Sequence, residues 1–216
     1  MAAFEREGLT LFIDFNCLPT YLAVDGVCRL LDETGVEERW VPLVKLPGNT
    51  SRGTGATDPL AAYKNRRAGA KRRFAERELQ RNCERMGISR EQGARDIDSS
   101  TASLGLLWLH EIQAKRDQFR AYVKSVFLAV YRKPESVEDL DTVVKKLDQC
   151  GVVTDGFREA SVDEYLAKLQ AVQEEIAELG IFESPAYIYE GECFQGRQHL
   201  PLLGWLMSGR NGLPPV

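Results

Sequence analysis

The stretch FIDFNCLPTYLA, residues 12–23, places a cysteine where an apolar run stops and a proline-bearing turn begins. Phe12, Ile13 and Phe15 fit a buried strand, and Tyr21, Leu22, Val24, Val27 and Leu30 recur at helical spacing beyond it. Cys17 then stands at the amino terminus of a helix. Unpaired backbone N–H groups and the local dipole stabilise an anion there, which lowers a thiol's pKa and raises its nucleophilic fraction. The alternative role is a small residue packed under a sheet. Pro19 suits an early helical turn, where a missing N–H costs little. Thr20 hydrogen-bonds but cannot form a disulfide, so redox cycling through an internal Cys-x-x-Cys bridge is disfavoured.

Nothing else in the chain supplies an obvious second sulfur. The five cysteines, at 17, 28, 83, 150 and 193, are scattered and odd in number, which suggests neither a disulfide framework nor a zinc cluster. Cys28 lies about three helical turns beyond Cys17, too far for a direct bridge. His110 and His199 are the only histidines; they form no local metal pair and are read as polar or packing residues. No glycine-rich nucleotide loop follows the first strand, so NAD or ATP use is not indicated.

The elements that must position Cys17 are read from periodicity. LTLFIDF reads as a first strand, residues 18–34 as a helix closed by Gly35, and ERWVPLV as a second strand. Around Gly48, Gly53 and Gly55 the chain turns loop-like. From about Asp58 to Leu179 the patterns are helical. Phe119, Tyr122, Val123, Val126, Phe127 and Val130 share one face, and Val162, Tyr165, Leu166, Leu169, Val172 and Ile176 share another, both read as core. Pro134 ends one helix, SVEDL opens the next with a capping-box pattern and Gly151 closes it; Ser161 with Glu164 repeats that signal. PAYIY and ECF then flank a turn at Glu190 and Gly191, and QHLPLLGWLM supplies a last helical segment. The fold class is α/β, with a large all-helical insertion between β-α-β and β-β-α parts.

The 216 residues are 44% hydrophobic, enough for one domain with an insertion, and the net charge of -4 gives no global reason to expect nucleic acid or a membrane as partner. The segment KNRRAGAKRR is a local exception. A solvated helix face or basic loop explains it, with an anionic partner as the alternative. MAAFEREG lacks the basic and apolar stretches of a secretory signal, and no apolar run approaches the roughly 20 residues of a bilayer span, so a cytoplasmic location is expected.

FIDFNCLPTYLA resembles the first motif of the 2-hydroxychromene-2-carboxylate isomerases, kappa-class glutathione transferases and DsbA-like oxidoreductases, and GIFESPAYIYEGECFQGRQHL resembles their closing motif. RFAERELQRNCERMGI and DSSTASLGLLWL are similar to the isomerase branch. The resemblance implies a thioredoxin-like domain over 1–57 and 180–216, a helical insertion over 58–179, and a cis proline at Pro185, although an isolated X-Pro bond is ordinarily trans. It also implies glutathione as the thiol. The backbone of Ser184 and Pro185 would hold the tripeptide, Cys17 would take the place of a serine common in the isomerases, and Thr20 that of the resolving cysteine in dithiol relatives. Gln198 stands where glutathione-using relatives often carry an aspartate. Ser99 and Ser100 resemble a polar turn near the ligand, or cap a helix; Asn16 shapes the turn before Cys17 or donates into the site.

The activity so implied is a glutathione-dependent isomerase or transferase acting on an unsaturated aromatic-derived substrate. A monothiol oxidoreductase acting on glutathione mixed disulfides and a non-enzymatic thioredoxin-like binding module are the alternatives. Related proteins often pair, which leaves a homodimer open.

Overall fold

Every residue of LTLFI is buried, as a strand covered on both faces requires, and these residues form β1 (Leu9–Ile13) in the computed structural model. The structure describes residues 7–44, 59–93, 96–159 and 162–215. Gly48, Gly53 and Gly55 and the capping signal at Ser161 lie outside them. β2 (Glu38–Pro42) runs parallel to β1 on one side, β3 (Ala186–Tyr189) antiparallel on the other, and β4 (Glu192–Gln195) antiparallel to β3, in the order β2-β1-β3-β4. Glu190 and Gly191 turn the hairpin with φ of 51° and 79°, the left-handed pair that matches strand twist in a two-residue turn.

Between β1 and β2 lies α1 (Leu18–Thr34), with the bounds expected from its apolar period. Pro19 occupies its first turn, and Gly35 ends it at φ 68°, its N–H bonded to Leu31. The chain continues through α2 (Pro59–Met86), α3 (Arg90–Gly93), α4 (Ser100–Glu111), α5 (Arg116–Tyr131), α6 (Leu140–Gln149), α7 (Asp155–Glu159) and α8 (Val162–Glu178) before returning to β3. After β4 a 3-10 turn, Arg197–His199, leads into α9 (Leu200–Met207).

Two compact units divide the chain: Met1–Val44 with Asp96–Val216, and Lys45–Arg95. The sheet, α1 and α4 to α9 belong to the first. The second holds α2 and α3; α2 carries KNRRAGAKRR on a largely exposed surface and buries Cys83. No helix among the described residues is long and apolar enough to cross a membrane.

The strand register sorts the core into two faces. Phe12, Val41, Ala186 and Ile188 pack with Ile176 near the end of α8 and with Ile181 just beyond it. On the opposite face the register sets Trp40, Leu11, Tyr187 and Phe194 in one row across all four strands. Arg120, on the helix that follows in the chain at Arg116–Tyr131, bridges Asp32 on α1 and Glu38 on β2.

Two helix readings change. SVEDL does not cap α6 through Ser136: Asp139 is the N-cap, its carboxylate accepting from the Thr142 N–H. The start shifts because Ser136 lies in the turn before it, its carbonyl accepting from Asp139. On α8, Tyr165, Leu169 and Ile176 are buried, but Val162 and Leu166 are exposed. The buried arc is rotated toward Val172 and Gln173, and Gln173 is 7% exposed. Its amide donates to the Pro42 carbonyl and accepts from the Val44 N–H, so a polar residue fills a place that periodicity assigns to apolar ones.

Candidate active site

Cys17 is the N-cap residue of α1, with extended backbone at φ -120° and ψ 106°. Its carbonyl accepts from the N–H groups of Thr20 and Tyr21, and its own N–H donates to the Asp14 carbonyl. The sulfur is therefore fixed at the amino terminus of α1, at the positive end of the helix dipole. No acidic side chain stands in the first turn of α1 to oppose a negative sulfur. The thiol is partly exposed, and it donates to the Ser184 carbonyl at 3.0 Å.

The Ser184–Pro185 peptide bond is cis. Ser184 is held by three contacts through its hydroxyl. It accepts from the Asp14 N–H at 2.8 Å, donates toward the Phe12 carbonyl at 3.3 Å, and lies 2.6 Å from the Thr20 hydroxyl. With the Ser184 proton on Phe12, the Thr20 hydroxyl is the donor of that pair. Thr20 is only 1% exposed. It thus supports the residue before the proline and does not face the solvent beside Cys17.

Asp14 is the residue that the sequence reading passes over. Its side chain is buried, and one carboxylate oxygen accepts from the Asn16 N–H at 2.8 Å and the Ser99 hydroxyl at 3.1 Å. The available signal was a lone acid closing an apolar run, a placement that buries a charge unless donors meet it. Ser99 begins α4 as its N-cap but makes no side-chain cap bond; its hydroxyl goes to Asp14 instead. Ser100 is held through its N–H by the Asp98 carboxylate. Asn16 donates to Asp96 and accepts from the Ile97 N–H, so its amide shapes the loop before α4. Gln198 is exposed and its amide donates to the Gln195 carbonyl, back within its own turn.

Cys17, Thr20, Ser184, Pro185, Asp14 and Ser99 are accordingly one connected set, drawn from the end of β1, the start of α1, the start of α4 and the start of β3. Asn16 touches its margin. The other cysteines are placed differently: Cys28 and Cys83 are buried, Cys150 is half-buried and Cys193 is exposed on β4. Burial pushes the thiols of Cys28, Cys150 and Cys193 up. Among the described residues, no group of three or more His, Cys, Asp or Glu side chains is arranged to hold a metal ion. His110, buried in part, meets the Trp40 carbonyl through Nε2, and its imidazole is held below the usual range by burial.

No protein-family model matches the chain, and no curated protein matches it in sequence. Solved structures do match. A 2-hydroxychromene-2-carboxylate isomerase superposes with a TM-score of 0.65 at 20% identity, covering 94% of this chain and 94% of that one. The cytosolic disulfide reductase DsbM of Pseudomonas aeruginosa, in a structure with glutathione, superposes with a TM-score of 0.58 at 18% identity, covering 89% of this chain and 91% of that one. The fold is therefore the DsbA-like thioredoxin fold, an α/β architecture with helices inserted between β2 and β3.

Proposed function

We propose, with the DsbA-like thioredoxin fold as premise, that this protein is a glutathione-dependent isomerase or transferase whose reactive centre is Cys17. The observation that carries the reading is the approach of the Cys17 thiol to the Ser184 carbonyl at the amino terminus of α1. A partly exposed sulfur, a backbone acceptor and the positive end of a helix dipole meet at one point, which fits the binding of a thiol-bearing peptide. That a fold neighbour was solved with glutathione supports the same ligand.

In this reading the backbone of Ser184 and Pro185 holds the tripeptide, and Thr20, Asp14 and Ser99 hold that backbone and the Cys17 turn in place. Glutathione supplies the sulfur that adds to, and then leaves, an unsaturated aromatic-derived substrate. Cys17 orients that sulfur and holds or releases a proton at its own Sγ. Asn16, Ser100 and Gln198 act at the rim. The enzyme works in the cytoplasm, on a small molecule.

A second reading rests on the element itself. Position 17 carries a thiol where a hydroxyl suffices for hydrogen bonding, and a thiolate exchanges with disulfides. A monothiol oxidoreductase acting on glutathione mixed disulfides is that reading. Parallel assays separate the two. Chromene-carboxylate isomerisation retained in Cys17→Ser supports the isomerase, and glutathione–disulfide exchange abolished in Cys17→Ser supports the oxidoreductase. Silence in both assays for the wild-type protein contradicts both.

A further inference from the structure

Ser184 reaches Cys17 at the end of a short segment, residues 180–183, that follows α8 without regular structure. Packing holds this segment at Ile181, which is buried, but not at Phe182, which is 74% exposed, or at Glu183, which is exposed as well. The hold there is one side chain. Gln195, the last residue of β4, accepts through Oε1 from the Phe182 N–H at 3.0 Å and the Glu183 N–H at 3.2 Å, and donates through Nε2 to the Gly180 carbonyl at 3.2 Å. Two donors and an acceptor on one segment are met by the two ends of one amide, which neither a carboxylate nor an apolar side chain matches in full.

The backbone beyond Ser184 is held from the same place. Gln195 pairs with Ala186, and the N–H of the following residue, Gly196, donates to the Pro185 carbonyl at 2.7 Å. β4 thus grips Ser184 from both sides, by side chain before it and by backbone after it. Water can take the N–H groups of an exposed segment, so the bonds from Gln195 add little stability there. What they fix is position: the residue next in the chain after Glu183 is the one whose carbonyl accepts from the Cys17 thiol at 3.0 Å.

We propose that Gln195 is a positioning residue for Cys17: its amide fixes the segment before Ser184 so that the Ser184 carbonyl stays within reach of the thiol. That carbonyl bonds only the protonated sulfur, so it favours the thiol, and a segment released from Gln195 lets the proton go more readily. The charged and titratable groups on the elements around Cys17 are Asp14 after β1, Asp96 before α4, Glu183 on the segment itself, Tyr187 on β3, Arg132 after α5, which donates to Tyr21 one turn along α1, and Arg197 after β4. None is altered by a neutral replacement of Gln195, so a shift in the sulfur's titration reports the carbonyl.

The inference rests on Cys17 being the reactive sulfur, and the experiment keeps the two apart. Alkylation of the Cys17 peptide by iodoacetamide is followed by mass spectrometry from pH 5 to 10 in the wild type and three variants: Gln195→Leu; Gln195→Asn, whose amide falls one methylene short; and Gln195→Glu, which keeps the acceptor for both N–H groups. Gln195→Leu and Gln195→Asn are expected to move the midpoint down by about half to one unit, so the rate near pH 6 rises about three- to tenfold while the plateau at high pH is unchanged. Gln195→Glu stays at or above the wild-type midpoint, since it retains two of the bonds and adds a negative charge. Profiles of Gln195→Leu and Gln195→Asn that coincide with the wild type, or a plateau that rises with the low-pH rate as general loosening gives, overturn the role of Gln195 and leave Cys17 standing. A wild-type Cys17 that iodoacetamide does not modify anywhere in the range overturns the reading of Cys17 itself, and the inference with it.

Discussion

The Cys17 thiol donates to the carbonyl oxygen of Ser184 across 167 positions of sequence. The bond exists only while the sulfur carries its proton, so it favours the thiol, whereas the amino terminus of α1 favours the thiolate. The two influences meet at one atom, and the chemistry of the site depends on their balance. The backbone that accepts the bond is itself fixed by the Ser184 hydroxyl, and through it by Thr20, Phe12 and Asp14.

That support is measurable. In Thr20→Val and Ser184→Ala, each variant removes one side of a 2.6 Å contact. Denaturant midpoints of the two single variants and the double variant should give a coupling of about 1 kcal/mol, the usual worth of such a bond. Additive losses would show that the hydroxyls do not support one another.

Gln173 is predicted to be a keystone of the join between α8 and the end of β2. Gln173→Leu keeps the volume but leaves the Val44 N–H and the Pro42 carbonyl without their partner. A loss of about 2 kcal/mol or more in unfolding free energy is expected, the cost of two unsatisfied backbone groups. A loss under about 0.5 kcal/mol would mean that water or a shifted backbone satisfies them.

The acid limb of stability should depend on Glu38. Burial alone would raise its carboxyl, but bonds from Arg120 and Trp40, with the charges of Arg120 and Arg116, hold it below its ordinary value. A depressed folded value means that the contribution is complete above the unfolded carboxyl pKa of about 4.3 and is lost as pH falls through the folded value. The stability difference between wild type and Glu38→Gln, followed by urea unfolding, should therefore shrink as the pH falls below about 4.3. A difference constant with pH would contradict this.

Periodicity and caps made much of the fold legible. The apolar spacing from Tyr21 to Leu30 and the glycine at 35 gave α1 its bounds, and Glu190–Gly191 marked the hairpin, because each depends on neighbours in sequence. The roles of Asp14 and Gln173 were not legible, since each is decided by backbone or side-chain atoms far along the chain. Ser99 shows the same limit. Its type and position at a helix start indicate capping, yet its hydroxyl is drawn away to a carboxylate 85 positions earlier. The Gln198 amide donates to the Gln195 carbonyl within a turn that Gly196 enters at φ 99°, a local contact that its place in the closing motif does not reveal. The pairing of Cys17 with Ser184 was suggested by resemblance alone.

The most direct measurement is the intact mass of the reduced protein after exposure to oxidised glutathione, for the wild type and Cys17→Ala. The Cys17 thiolate attacks one sulfur of the disulfide, forming a Cys17–glutathione disulfide and releasing the other half as glutathione thiolate. The account predicts one glutathione adduct on the wild type, reversed by dithiothreitol and absent from Cys17→Ala. An unmodified wild-type protein, or an adduct that persists in Cys17→Ala, would contradict it.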